Sequence, residues 1–247
     1  MGRSAAAADG DKRHIRPEPG LLETSVNIFS SPTEAFRALQ KKPTKLFPLL
    51  LVLVFNALML TWYFSIVDYS WFVDDILSAQ SFSEEERADA REGMMALSIN
   101  TFAMFGVLGG SAAIIAINLL QAAYLSLVAA LRGDEYKFPH WFSLACWAGL
   151  PMLLTVAGSV VTILLSPNGQ LSPYDLDPLT LWNLGVVSAN TSVQGLAQSL
   201  SLSTFWGIGL MVLGYRQWTQ TSWLRAAITV LSPYLCVVGI WAVIAFS

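Results

Sequence analysis

With 247 residues, of which 54% are hydrophobic and only 13% charged, and with a mean hydropathy of +0.53, the chain lies outside the range of ordinary soluble domains and within that of membrane proteins. Its 14 basic and 17 acidic side chains are segregated along the sequence, and no basic stripe with interleaved aromatics tracks a phosphate backbone, which excludes a nucleic-acid partner. Cys146 and Cys236 each sit in an apolar run without CxxC spacing or a histidine cluster, so both read as free packing thiols, and neither a metal site nor a cofactor is expected.

Residues 1–20 are small, charged and rich in Pro and Gly, with no apolar h-region, and predict a disordered cytosolic tail. Ala6 stands where a myristoylation motif requires Ser or Thr. Residues 21–45 predict cytosolic amphipathic helices at the membrane interface. Leu22, Val26 and Phe29 form one apolar edge; Ser31 then reads as an N-cap, Pro32 as the first helical residue, and Glu34 as the partner completing a capping box. Phe36 and Leu39 form a second apolar edge, and Lys41, Lys42 and Lys45 follow at headgroup level, each worth about 1 kcal/mol near an anionic surface. Ser31, Glu34, Phe36, Leu39, Lys41, Lys42 and Lys45 are therefore the expected cytosolic docking face for a protein partner.

The uncharged intervals are 46–67, 93–131, 138–174, 178–215 and 226–247, each long enough to cross a bilayer, which takes about 20 apolar residues. The first span is 46–67, closed by Trp62 and Tyr63 at the far headgroups. In the following loop Trp71, Phe72 and Ile76 share one side of an interfacial helix, with the aspartates opposite. Eight acids against Arg87 and Arg91 give residues 68–92 a net charge of −6, without the spacing of a calcium loop, and this reads as a solvated acidic face.

Interval 93–131 is too long for one crossing and too short for two. Because Ser83 and Glu86 form a capping box, one helix is expected to start near Ser83 and cross at about 101–131. The third span covers about 141–165, with a kink at Pro151 and a turn at Ser166-Pro167-Asn168-Gly169. Residues 178–194 are too polar to cross and predict a loop with an interfacial helix around 179–187. The fourth span is 195–214 and the fifth 226–246, the latter carrying Pro233. A sequon at Asn190-Thr191-Ser192 matters only in a secretory pathway.

The segments before span one, between two and three, and between four and five hold 8, 2 and 2 of the 14 Lys and Arg residues. The positive-inside rule places the N-terminus in the cytoplasm and the C-terminus outside. The expected architecture is all-α: five transmembrane helices over residues 46–247, with amphipathic helices before span one and in the external loops.

"IFSSPTEAFRAL" (28–39), "FPLLL" (47–51), "GDEYKF" (133–138) and "AGLPMLL" (148–154) together resemble the pattern of bacterial members of the Ypt-interacting protein (Yip) family. The resemblance implies a five-span protein of the bacterial inner membrane with a cytosolic N-terminus and no defined activity. Eukaryotic relatives are associated with Rab-type GTPases and with membrane traffic or shaping. Their cytosolic Asp-Leu-Tyr-Gly-Pro motif is absent from this sequence, so a GTPase partner does not carry over.

No HExxH, GxSxG or glycine-rich phosphate loop occurs, and the histidines are His14, in the tail, and His140, at the mouth of span three, which argues against an enzyme. The span cores hold no ionisable residue, as an ion-coupled transporter would. Uncharged polar residues do form stripes: Asn100, Ser111, Asn118 and Gln121 in span two; Thr155, Ser159 and Thr162 in span three; Gln194, Gln198 and Ser201 in span four. Asn56 stands alone in span one. Such groups either tie helices together, at roughly 0.6–2 kcal/mol each, or line a groove for a headgroup or small solute. Gly106 with Gly110, and Gly109 with Ala113, are small-xxx-small pairs that let helices approach closely, within the bundle or across a homodimer.

The sequence points to a non-enzymatic inner-membrane scaffold that organises the lipid bilayer and a protein partner. The alternative is a passive conduit or lipid-moving protein that uses the uncharged polar faces.

Overall fold

The structure, a computed structural model, describes residues 19–80, 82–166, 168–186 and 191–246. Among them the regular structure is helical apart from an isolated bridge between Thr180 and Ser201. The all-α expectation holds. Most of the expected tail lies outside the described residues, as do Pro167 of the expected turn and Asn190 of the sequon.

Helix α1 (Leu21–Ser30) leads into α2 (Pro32–Lys41), and Pro32 takes the first helical position. The expected capping box does not form. Ser31 also closes α1, and its N–H already donates to the Asn27 carbonyl at 2.8 Å, so it is not free to donate to the Glu34 carboxylate. The segment is part of the bundle rather than a free strip on the leaflet. Ala35, Phe36 and Leu39 are buried in one cluster with Trp141, Leu144, Trp147 and Tyr215.

Buried indole N–H groups need acceptors, and here they grip the N-terminal backbone. Trp218 donates to the Phe36 carbonyl at 2.8 Å and Trp147 to the Thr44 carbonyl at 2.7 Å; Ser143 adds a second bond to Thr44 at 2.6 Å. Phe36 and Leu39 thus anchor α2 and do not face a partner, which corrects the docking face. Glu34, Lys41 and Lys42 remain exposed, while Ser31 and Lys45 are half-buried.

Helix α3 (Leu46–Ile66) is followed by α4 (Tyr69–Ser78), started by the Asp68 carboxylate on the Trp71 N–H, and by α5 (Glu84–Met95). The Ser83–Glu86 capping box is complete: the Ser83 N–H reaches the carboxylate at 2.8 Å and the hydroxyl accepts the Glu86 N–H at 3.3 Å. Yet α5 does not run into the next span. The Tyr69 hydroxyl donates to the carbonyls of Met94 and Leu97 at 2.6 and 2.9 Å, and Ser98 starts a new helix, α6 (Ile99–Arg132). The single long helix expected from Ser83 is therefore two, divided by a tyrosine from another element.

Asp74 pairs with Arg91 at 2.6 Å, Asp75 accepts from Ser172 at 2.7 Å, and Glu86 serves the cap, so these carboxylates are engaged singly.

The bonds from Ser83 hold the Glu86 carboxyl below its ordinary range. Its contribution is complete above the usual Glu value and fades as pH falls through the lowered one. Hydrogen exchange corrected for intrinsic rate should then show the first turn of α5 losing protection on acidification; protection that ignores pH would reject this role for the cap.

The third expected span is two helices, α7 (Phe138–Ala148) and α8 (Met152–Leu165), parted at Gly149-Leu150-Pro151. Pro151 has no N–H to give, and the Met152 N–H donates to the Gly149 carbonyl at 3.0 Å in a tighter turn. The loop beyond α8 is fastened to the end of α3. Gly169 (φ +70) comes so close to the Ile66 carbonyl that a Cβ would lie 2.5 Å from it, and its own carbonyl accepts the Asp68 N–H at 3.0 Å. The helix expected around 179–187 is absent among the described residues; residues 181–185 form turns.

The fourth expected span is also interrupted: α9 (Thr191–Ser199) and α10 (Leu202–Thr219) part at Leu200-Ser201. Serines at 199, 201 and 203 offer local alternatives to the helical ladder, and the preceding loop takes up the freed backbone. Leu181 N–H donates to the Leu200 carbonyl at 2.8 Å, and Leu202 N–H to that of Leu179 at 3.0 Å. Helix α11 (Trp223–Phe246) contains Pro233 as expected.

Among the described residues four segments are long and apolar enough to cross a membrane: Leu46–Ile66, Ile99–Arg132, Phe138–Leu165 and Trp223–Trp241. Helix α10 is not one of them. Its 18 residues reach about 27 Å at 1.5 Å each, close to a core of about 30 Å, but polar residues at both ends lower its hydropathy.

Two buried clusters mark the ends of the bundle. One joins α2, α7 and α10; the other joins the end of α3, α4, α8 and the loop at Leu171 and Leu176.

Candidate binding cavity

A cavity of about 410 Å³ borders the first cluster at Ala145, Ala148 and Met211, bounded by α6, the α7–α8 break, the start of α10 and the middle of α11. It owes its existence to the two breaks. At one, Gly207 of α10 sits so close that a Cβ would come within 2.9 Å of the Ala148 carbonyl. At the other, Ser201 and Ser203 turn their hydroxyls inward, 3.1 Å apart.

Ile114, Ile117, Ala148, Met152, Ile208 and Met211 make much of the cavity's lining apolar. Among them it collects polar groups from separate elements. Thr155 of α8 shares a hydrogen bond with Ser203 at 2.6 Å and donates to the Asp177 carboxylate at 3.3 Å. Asn118 and Gln121 of α6 line the same space, with Gln121 donating to the Tyr234 hydroxyl of α11. The Asp177 carboxylate also accepts the Leu179 N–H at 2.9 Å, which fixes its loop. Pro178 rests on Gly158, where a Cβ would lie 2.8 Å from the ring. The missing side chain of Gly158 thus lets the loop bring a carboxylate to Thr155.

Among the described residues, the bonds that stitch α11 to α6 come from its first half. Arg132 donates to Thr229 at 3.1 Å, Tyr124 donates to the Thr229 carbonyl at 2.9 Å, and Gln121 meets Tyr234. Past Pro233 the described apolar side chains Leu235, Val237, Ile240 and Val243 are exposed, and Ile117 on the α6 rim is 53% exposed. The cavity therefore opens sideways, between helices, toward the medium that surrounds the bundle.

Of the polar residues singled out in the sequence, Asn118, Gln121, Thr155 and Ser201 meet here. Others go elsewhere. Ser159 and Thr162 bond back to the carbonyls of Thr155 and Gly158 at 2.9 and 3.1 Å. Asn100 is exposed, and Ser111 is half-buried off the cavity. Gln194 and Gln198 ride on α9 outside it, and Asn56 is buried at the crossing of α3 with Gly110.

Gly106 and Gly110 pack on Phe64, Leu60 and Asn56 of α3, whereas a Cβ at Gly109 would point into open space and Ala113 is exposed. Sequence reasoning missed Asp177, Ser203 and Tyr234. Asp177 was the legible one: it interrupts two long uncharged intervals and is followed by proline. His140 stacks edge-on with Tyr136 at 5.6 Å, away from the cavity.

Among the described residues no cluster of three or more His, Cys, Asp or Glu could hold a metal ion. The chemistry on offer is hydrogen bonding and one carboxylate.

The Yip1 domain pattern matches residues 26–245. Comparison with curated proteins gave no match, and comparison with solved structures gave none.

Proposed function

The chain belongs to the Yip1 domain family, and on that premise we propose that it is a non-enzymatic membrane protein that receives the polar head of a lipid-like amphiphile in the cavity between α6, α8, α10 and α11. The observation that carries this reading is convergence: Asn118, Gln121, Thr155, Asp177, Ser203 and Tyr234 come from five places in the chain to line one space whose remaining lining is largely apolar. At about 410 Å³ the cavity falls in the range of about 300–1,000 Å³ typical of small-molecule sites. That suits a headgroup, with acyl chains leaving through the gap between α6 and α11. The eight Lys and Arg before α3, with Arg132 and Lys137 where α6 gives way to α7 and Arg216 and Arg225 near the α10–α11 turn, support a cytoplasmic N-terminus, in keeping with a bacterial inner membrane and with α9–α10 as the fifth crossing.

Vesicles reconstituted with the full chain provide the test, with a fluorescent phospholipid scrambling assay as readout. Asn118→Leu with Gln121→Leu should reduce exchange at least ten-fold while the protein stays folded. Exchange equal to wild type would remove the cavity from the function, and no exchange by wild type above empty vesicles would reject lipid movement.

The scaffold reading keeps one specific support, the edge of α1, where Leu22 and Val26 are 75% and 65% exposed. Deleting residues 21–42 would not test it, because Phe36 and Leu39 would leave the core with them. Leu22→Ser with Val26→Ser leaves that packing intact. These changes should abolish crosslinks to a partner if α1 docks one; unchanged crosslinks would dismiss α1.

A further inference from the structure

A second pocket, of about 230 Å³, lies where α2 meets the turn between α10 and α11, and its lining includes Thr33, Arg37, Gln40, Arg216, Gln217 and Trp223. Two arginines face it, and no carboxylate lines it. Like charges brought to one cavity without an acid repel each other unless an anion enters.

Arg216 is held in place by the Trp223 ring, 4.4 Å below its guanidinium, and its Nε is buried without a hydrogen-bond partner among the described residues. Gln217 is fixed by its bond to the Thr33 carbonyl at 2.8 Å. Helix α11 begins at Trp223, so the positive end of its dipole lies at the pocket, with the Arg225 N–H taken by the Ser222 hydroxyl at 3.4 Å. Next to it, across Thr221, Arg132 and Arg225 line a further groove in which Asp134 is the acid.

Trp223 and Leu224 are 54% and 71% exposed at this turn, an amphipathic ring and an apolar side chain where a helix of crossing length begins. That is the composition of a headgroup-level anchor. An anion seated between Arg37 and Arg216 would therefore lie at the depth of lipid phosphates.

We propose that this pocket is a seat for the phosphate of an anionic phospholipid, clamped by Arg37 and Arg216 over the start of α11. Guanidinium forks suit a phosphate better than a point charge does. The shared chemistry is phosphate, which a soluble anion could also supply.

The full chain in neutral detergent is titrated with phosphatidylglycerol, phosphatidylcholine or inorganic phosphate, with bound adducts counted by native mass spectrometry and the unfolding midpoint followed in parallel. Phosphatidylglycerol should bind at least ten-fold more tightly than phosphatidylcholine and raise the midpoint. Arg37→Gln with Arg216→Gln should remove that preference. If Arg216→Gln fails to fold, Arg37→Gln alone, an exposed position on α2, should still lower the preference several-fold. A preference that survives the arginine changes overturns the proposal, and inorganic phosphate binding as tightly as phosphatidylglycerol overturns the lipid assignment.

Discussion

Replacing Gly214 with valine is expected to destabilise the whole bundle by about 1–3 kcal/mol, the usual range for extra methyls forced into a packed core, and to release α2 from it. Gly214 faces Leu144 of α7 and Phe36 of α2, and a Cβ there would overlap the Leu144 side chain and stand 3.3 Å from the Phe36 ring. Neither neighbour has room to withdraw, since both are fully buried. Valine would force α10 away from α7 and strain the bond from Trp218 to the Phe36 carbonyl. The unfolding midpoint of the purified protein and the rate of proteolysis in residues 42–45 report the two effects.

Leu144→Ala alone should also destabilise, by about 2–5 kcal/mol, as large-to-small core changes do. In the Gly214→Val background its cost should be smaller, because the cavity it opens receives the new methyl groups. Additive costs would mean that the two residues do not compete for the same space.

The contrast between what the sequence expressed and what it concealed has one physical source. Hydropathy and charge are summed locally, so the spans at 46–67 and 226–246 and the cap at Ser83 were legible from neighbouring residues. The end of α5 was not, because the group that ends it is the hydroxyl of Tyr69, 25 residues before Met94. The fate of α2 was hidden for the same reason: Phe36 and Leu39 form an apolar edge that suits a membrane surface or a partner, and only Trp218 and Gly214, far along the chain, decide that it is covered.

For the cavity, the residue types were legible and their grouping was not. Asn118, Gln121 and Thr155 were visible as polar positions in apolar runs. That they share a space depends on breaks at Pro151 and Ser201 and on a loop tied across them. Pro151 announces its kink, but Ser201 reads as part of a continuous span, because a serine within an apolar run gives no sign that Leu179 and Leu181 bond its neighbours' backbone.

The loop that carries Asp177 gives the second large effect. Gly158→Val should leave the helices standing and empty the cavity of its carboxylate. The substitution lies in α8, where valine is tolerated better than glycine as a helix former, so α8 itself loses nothing. The added side chain instead occupies the seat of Pro178, whose ring already stands 2.8 Å from the position of a Cβ. Pro178 must lift, and Asp177 beside it moves off Thr155, whose hydroxyl keeps Ser203 as partner at 2.6 Å. In an otherwise cysteine-free protein, Thr155→Cys with Asp177→Cys should crosslink readily through a short bifunctional reagent, and at least ten-fold less when Gly158→Val is added. Phospholipid exchange should fall in the Gly158→Val protein while its unfolding midpoint changes little, separating a cavity that has lost its acid from a bundle that has lost its packing. Equal crosslinking with and without the valine would mean that Pro178 does not hold the loop, and the carboxylate would then need another reason to stand where it does.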